Sequence, residues 1–370
     1  MNVADRSKIK LLIFTPTLQC GGAEKYVSLL CNNIDTERFS VCLVVLNNED
    51  PFFEIRKKNV QVIDLKIKHV RHSLFKIKKT VKEEQPDIIF TTANHLNLLF
   101  AIFRRFFPKK IWLIGWESSI VSINNRRAKF TALYDRLVKI FYRNLDLIVC
   151  QSAYMQQDLV SNYSIPGNKT AVIHIPVETG NMSNAAGLTK APCEKFTFIT
   201  VARLSEEKGI DRLIRSVALL SIPFQYHIIG EGRERDSLQN LINRLELQDK
   251  VFLEGEKTSP YRGIENADLF LMGSYYEGFP NVLLEAGALG IPVIAFDVPG
   301  GIGEIITAEN GSLVKDNDTG SFAVAIQNAL QTNFNRNRII KITQNRFSLN
   351  VIIPETEALF INLYQDDRIS

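Results

Sequence analysis

Two glutamates eight positions apart, Glu277 and Glu285, bracket the most chemically suggestive stretch of this 370-residue sequence, Glu-Gly-Phe-Pro-Asn-Val-Leu-Leu-Glu. Pro280-Asn281 reads as a helix start, because proline at the first turn forfeits only an N–H that a helix leaves unpaired anyway. The amides of Asn281, Val282 and Leu283 then lack helical acceptors. With the helix dipole behind them they suit a phosphate. Glu277, on the loop before the helix, reaches toward sugar hydroxyls, and Glu285, about two turns in, toward a ribose hydroxyl. A capping residue and a surface residue would give the same two glutamates. However, the apolar residues between them place Glu285 in a mainly buried helix, where a carboxylate without a partner is costly.

A second set is cationic. Arg203 and Lys208 stand five positions apart in Arg-Leu-Ser-Glu-Glu-Lys-Gly. An arginine offers a planar fork and a lysine a point charge, and the two can converge on one diphosphate. A solvated charged loop turning at Gly209 is the plain alternative. Gly21-Gly22-Ala23-Glu24 supplies small residues and free amides at a helix start, as an anion needs or a simple turn uses. Gly230-Glu231-Gly232 is a dinucleotide fingerprint without its third glycine, and by itself indicates a tight turn.

These residues need a scaffold, and the apolar periodicity supplies it. Short apolar runs at 10–15, 40–46, 60–65, 87–91, 110–114 and 145–150 alternate with helical patterns, including a helix after Gly22 with Val27, Leu30 and Ile34 on one face. The second half repeats the scheme at 196–201, 226–229, 251–253, 269–272, 293–296 and 312–314. Strands alternating with helices imply parallel sheets covered on both faces. The expectation is an α/β protein of two Rossmann-like doubly wound domains, 1–178 and 194–353, facing across a cleft. The small, polar, aperiodic segment 179–193 reads as the linker, and a helix following Pro354, within 354–370, closes the chain.

Composition narrows the function classes. Apolar residues make up 45% and charged residues 23%, which excludes a disordered or collagen-like chain. No apolar run approaches the ~20 residues needed to span a bilayer. The charged N-terminus argues against a secretory signal, and the five scattered cysteines (Cys20, Cys31, Cys42, Cys150, Cys193) fit reduced thiols. A cytoplasmic protein is expected. Residues 1–180 carry 26 Lys and Arg against 16 Asp and Glu, a balance of +10, whereas 181–370 carry 18 against 24, a balance of −6. The basic half suits an anionic partner or simply a soluble surface. Nucleic acid is discounted, because neither a reading helix nor an aromatic sheet motif accompanies the charge.

Taken in order, these motifs resemble the GT-B glycosyltransferases of retaining family 4. The resemblance rests on Gly-Gly-Ala-Glu, Arg-Leu-x-x-Glu-Lys-Gly, Gly-x-Gly, Glu-Gly-Phe-Pro-Asn-x-x-x-Glu-Ala, and Gly300-Gly301-Ile302-Gly303-Glu304, spaced from about residue 10 to 315. It implies transfer of a sugar, with retention, from a nucleoside diphosphate sugar (UDP-linked) to a glycan or polyprenyl-diphosphate-linked acceptor in surface polysaccharide assembly. Arg203 and Lys208 would hold the diphosphate, Glu277 the sugar and Glu285 the ribose. Gly21 and Gly22 would lie against the phosphates, and Lys257 would edge the base. Gly230, Gly278, Phe279, Asn281, Val282 and Leu283 would complete the donor site. Domain closure would exclude water, and the final helix, 354–370, would cross back to the first domain. A nucleotide-sugar epimerase and a catalytically weakened binding protein are the alternatives.

One position departs from the pattern. Many relatives carry a histidine after the strand at 110–114, and here the run is Gly115-Trp116-Glu117. Glu117 is the nearest substitute as a sugar or acceptor contact, unless it is only a carboxylate at a helix start. Asp316-Asn317-Asp318, the only Asp-x-Asp, reads as a turn, so neither a catalytic metal nor a cofactor is expected. The basic stretch 66–79 and the segment 96–110, with Phe100, Phe103, Phe106, Phe107, Arg104, Arg105, Lys109 and Lys110, suit peripheral contact with the inner face of an anionic membrane.

Overall fold

The computed structural model describes residues 8–67, 74–126, 131–178, 195–262 and 265–365. The chain divides into two compact units, Met1–Pro176 with Leu349–Ser370, and Val177–Ser348. The expected linker 179–193, with Cys193, and the stretch 68–73 lie outside the described residues.

Among the described residues the first unit holds one sheet of seven strands: β1 (Ile9–Thr15), β2 (Phe39–Val45), β3 (Val60–Asp64), β4 (Ile88–Thr91), β5 (Trp112–Glu117), β6 (Leu147–Cys150) and β7 (Thr170–Val172). The spatial order is β3-β2-β1-β4-β5-β6-β7, all parallel. Helices cover both faces of such a sheet, which explains why the strands are apolar runs rather than alternating ones. Ile13, for example, registers with Leu43 on one side and Phe90 on the other, and all three are buried. The order reverses between β1 and β4, the kind of crevice where open α/β sheets bind ligands. Two details differ from the sequence reading. β7 is too short to stand out as an apolar run, and β5 continues to Glu117, which registers with Cys150 inside the sheet.

The last helix, Leu349–Gln365, belongs to this first unit. Phe360 packs edge-on against Phe39 and Phe90, at 6.2 and 5.3 Å, and the Asp35 amide donates to Glu357 Oε1 at 2.7 Å. The helix starts before Pro354 rather than after it. Proline inside a helix costs ~3 kcal/mol. Burial of Ile352, Ile353 and Phe360 offsets that cost here.

The second unit repeats the architecture with six strands among the described residues: β8 (Phe196–Val201), β9 (Phe224–Ile229), β10 (Val251–Gly255), β11 (Leu269–Met272), β12 (Val293–Asp297) and β13 (Gly311–Lys315). Their order is β10-β9-β8-β11-β12-β13, again parallel. In a parallel sheet every strand ends at the same edge. The loops after β8, β9, β10 and β11 bear Arg203, Gly230, Lys257 and Glu277, so the topology alone gathers the cationic and acidic motifs along one rim.

Candidate active site

At that rim the structure joins Lys208 to Glu277, 69 residues apart in sequence: the Lys208 ammonium donates to Glu277 Oε1 at 2.5 Å. Ser274 Oγ donates to the same oxygen at 2.6 Å. Both charged side chains are largely shielded, with 23% and 14% exposure, so the attraction is screened less than at an open surface. Lys208 ends a single 3₁₀ turn, Glu206–Lys208, that is stitched to the β11 loop by a bond from the Tyr275 amide to the Glu207 carbonyl (2.9 Å). Gly209 permits this approach. Its φ is +53°, and a Cβ there would run into the Gly273 carbonyl oxygen.

Arg203, on the same loop as Lys208, is exposed, and among the described residues its guanidinium has neither a hydrogen-bond nor an ion-pair partner. Its backbone, by contrast, is fixed. Leu204 donates to the Glu231 carbonyl (2.8 Å) and accepts from the Glu234 amide (3.0 Å). A Cβ at Gly230 would strike the Ala202 carbonyl, and one at Gly232 the Leu204 carbonyl. The Gly-x-Gly motif thus lets two loops touch so that Arg203 is presented from a firm base.

Helix Asn281–Ala288 follows Glu277. Of the three amides read as free, Leu283 N–H turns back to the Pro280 carbonyl at 3.1 Å, which leaves Asn281 and Val282 without an acceptor inside the helix. Gly278 presents backbone only: its carbonyl accepts from the Gly301 amide at 3.0 Å. The Phe279 ring points inward, edge-on to Phe347 at 5.6 Å, and is buried. Glu285 is half-buried and has a partner. The Tyr261 hydroxyl lies 3.1 Å from Glu285 Oε2 and 3.3 Å from the Val282 carbonyl. Lys257 donates to Glu254 Oε2 at 2.9 Å. His227 Nδ1 sits 2.7 Å from the other oxygen of Glu254, and that hydrogen bond first, then Lys257, holds the Glu254 carboxyl below its ordinary range.

In the first unit, Gly21 caps helix Gly22–Asn33 in extended conformation, and the space where its Cβ would project is filled by the Glu24 carboxylate. An anion at these amides therefore requires Glu24 to move aside. Glu117 is fully buried, not at a helix start. Asn97 Nδ2 and the Tyr142 hydroxyl both lie 2.7 Å from Oε1, whereas the buried Oε2 has no partner among the described residues. Burial raises its pKa to about 7, against the lowering effect of the two hydrogen bonds and with a small contribution from Asp158. In this conformation Glu117 is fully enclosed by its neighbours. Burial pushes the Cys31 and Cys42 thiols up to about 12, so they are not nucleophiles.

The basic-aromatic segments divide. Phe100 and Phe107 are core, stacked at 5.2 Å. Arg104 is occupied by the carbonyls of Phe107, Pro108, Lys109 and Ile111 and by Asp146, so it is not available to a surface partner. Phe106 and Phe75 are exposed, at 42% and 81%, and Lys78 Nζ lies 4.4 Å from the Phe106 ring centre, with Arg105 at 5.1 Å.

The sequence reading missed Ser274, Tyr261 and above all Arg212. Arg212, on helix Ile210–Val217, is 4% exposed, and its planes meet the rings of Tyr275 and Phe296 at 4.0 Å each. It donates to the carbonyls of Gly273 (2.6 Å) and Ser274 (2.5 Å), and to Asp316 Oδ1 (2.6 Å) and Asn317 Oδ1 (3.1 Å). The Asp-x-Asp stretch, read as a turn, is therefore linked through Arg212 to the loop that carries Glu277. Its other aspartate, Asp318, caps helix Thr319–Gln331 through the Ser321 amide at 2.8 Å. Among the described residues no group of three His, Cys, Asp or Glu side chains is arranged to hold a metal ion, and no helix is long and apolar enough to cross a membrane.

The pattern of the family "Glycosyltransferase Family 4" matches residues 20–181, and that of "Glycosyl transferases group 1" matches 189–346. The chain is 32% identical, over 85% of its length and 88% of the relative's, to the Campylobacter jejuni N-acetylgalactosamine-N,N'-diacetylbacillosaminyl-diphospho-undecaprenol 4-alpha-N-acetylgalactosaminyltransferase. Among solved structures, the fold is shared with the sucrose-phosphate synthase of Thermosynechococcus elongatus (TM-score 0.79, 19% identity, 96% of this chain and 99% of that one). It is shared also with Anabaena HepE in complex with UDP (TM-score 0.75, 19% identity, 96% of this chain and 100% of that one).

Proposed function

The chain belongs to the GT-B glycosyltransferases of family 4, and from that premise we propose that it transfers a sugar from a UDP-linked donor to a polyprenyl-diphosphate-linked glycan, with retention and without a metal. The observation that carries this reading is the paired Lys208 and Glu277, held within 2.5 Å on adjoining loops, with the unpartnered Arg203 guanidinium on the same loop as Lys208. In the proposed reaction the anomeric C–O bond to the diphosphate breaks while an acceptor hydroxyl bonds to the same face of the sugar, and the hydroxyl proton passes to the departing phosphate oxygen. The charge growing on that leaving group falls to Arg203, Lys208 and the Asn281 and Val282 amides. Each such contact is worth roughly 2–4 kcal/mol of barrier. Glu277 would position the sugar, and Glu285, oriented by Tyr261, the ribose.

Metal independence is supported by the employment of both aspartates of Asp316-Asn317-Asp318, one with Arg212 and one as a helix cap. The donor base is supported by the UDP bound in the Anabaena relative, and the acceptor class by the diphospho-undecaprenol in the name of the Campylobacter relative. A lipid acceptor also gives purpose to Phe75, Phe106, Lys78 and Arg105 as a face for an anionic bilayer. The test offers a set of UDP-sugars, with lipid-linked glycans extracted from bacterial membranes, in excess chelator. Labelled sugar should appear on lipid. Turnover restored only by added divalent cation would overturn the metal-free mechanism, and a product that remains a nucleotide sugar would favour an epimerase.

A further inference from the structure

We infer that Arg212 and its counter-ion Asp316 form the device that positions Glu277 for the sugar, an inference that rests on the function proposed above. Glu277 is borne by the loop Gly273–Glu277, and the first two carbonyls of that loop, at Gly273 and Ser274, are buried away from water. A buried carbonyl needs a donor. Arg212 supplies both, one from Nε and one from Nη2, while Tyr275 and Phe296 clamp the guanidinium plane between them. The Ser274 residue whose carbonyl is held in this way donates its hydroxyl to Glu277 Oε1 at 2.6 Å. Rigidity therefore passes from Arg212 to the backbone of Ser274, from its side chain to the Glu277 carboxylate, and from there to Lys208.

A buried guanidinium must itself be compensated, since an uncompensated buried charge is strongly unfavourable. The carboxylate that does so comes from the turn after β13, 104 residues away in sequence. Asn317 adopts φ +60°, a left-handed turn that brings its side chain as well as that of Asp316 to the same Nη1. Asp316 is 40% exposed and, among the described residues, its hydrogen bond toward the Glu277 loop runs through Arg212, which makes it the residue to test. Arg212 and Asp316 are positioning residues, and neither is assigned a contact with substrate.

The experiment is a double-mutant cycle of Asp316→Ala with Ser274→Ala, read as kcat for UDP release from UDP-N-acetylgalactosamine and UDP-glucose, with water as the acceptor, at a temperature where all variants are folded. Asp316→Asn, which keeps the volume and an acceptor oxygen but not the charge, enters the cycle in place of Asp316→Ala if the latter does not fold. Misplacement of a reacting group is expected to lower kcat by about ten-fold for Asp316→Ala in the parent. In the Ser274→Ala background, where the link to Glu277 is already cut, the same change should cost less than about two-fold. A purely structural role would lower the melting temperature and leave kcat additive. An unchanged kcat in Asp316→Ala, or the same loss with and without Ser274, would overturn the inference and leave the proposed function standing. Absence of UDP release and of UDP binding by the parent would instead remove the functional reading and this inference with it.

Discussion

Glu117 shows how one buried side chain converts geometry into a pH dependence. Its pKa is raised from an ordinary 4.5 to about 7 because burial disfavours the ionised form more than Asn97 and Tyr142 favour it. The folded state therefore holds this proton more tightly than the unfolded chain. The stability it supports is fully present below about pH 4.5 and is lost as pH rises through about 7. The difference amounts to the order of 3 kcal/mol. Glu117→Gln should be more stable than the parent at pH 8 in urea unfolding, with the advantage gone by about pH 4.5. An equal advantage at both values would show that the carboxyl is ionised throughout. At this scale Arg203, Lys208, Glu277 and Glu285 are legible in the sequence, because each stands in a local motif whose spacing fixes its place on a loop or helix. Arg212 is not legible, because its partners lie 61 to 105 residues away, and Ile-Asp-Arg-Leu-Ile looks the same whether the arginine is a surface residue or a buried clamp. Tyr261 is hidden for the same reason: the cost of a lone Glu285 announces a partner but does not say which residue it is.

Among the elements, the turn at Gly209 does the most to assemble the site. A side chain there would be strained by φ +53° and would strike the Gly273 carbonyl, which is backbone and cannot swing aside. Gly209→Ala should lower the melting temperature by roughly 5 °C or more. It should also lower transfer, because the same contact seats the Lys208 turn against the Glu277 loop. A variant with parent-like melting and turnover would contradict this account of the turn. The strands were readable as apolar runs because parallel sheets bury both faces, and the errors lie where that rule is blind. β5 runs three residues beyond its apolar core and takes Glu117 with it into the sheet. Helix Asn94–Ile102 buries Phe100, although in sequence the phenylalanines and arginines of segment 96–110 together resemble a membrane-facing stretch. Periodicity reports which residues are apolar, but not whether a helix is covered by protein or by lipid.

At the scale of the whole molecule, the positive charge gathers in the first 180 residues, with a balance of +10, and in that same unit Phe75 is exposed and the exposed Phe106 ring meets Lys78 and Arg105. Each basic residue near an anionic surface is worth about 1 kcal/mol. Flotation with phosphatidylglycerol vesicles should carry the parent chain upward, and a Phe75→Ser, Phe106→Ser, Lys78→Gln variant should remain below. Equal flotation of the two would contradict a membrane role for these residues. Two parallel sheets were legible from the repeated strand–helix series, whereas the return of the last helix to the first unit was implied only by the family resemblance, because the packing of Phe360 against Phe39 and Phe90 is encoded in no local pattern. The central claim is that Arg203 and Lys208 receive the diphosphate. The most direct test is calorimetric titration of the parent, Arg203→Ala and Lys208→Ala with UDP and with UMP. The parent should prefer UDP, and each substitution should weaken UDP binding by about ten- to a hundred-fold, with a much smaller effect on UMP. UDP affinity unchanged in both variants would contradict the account.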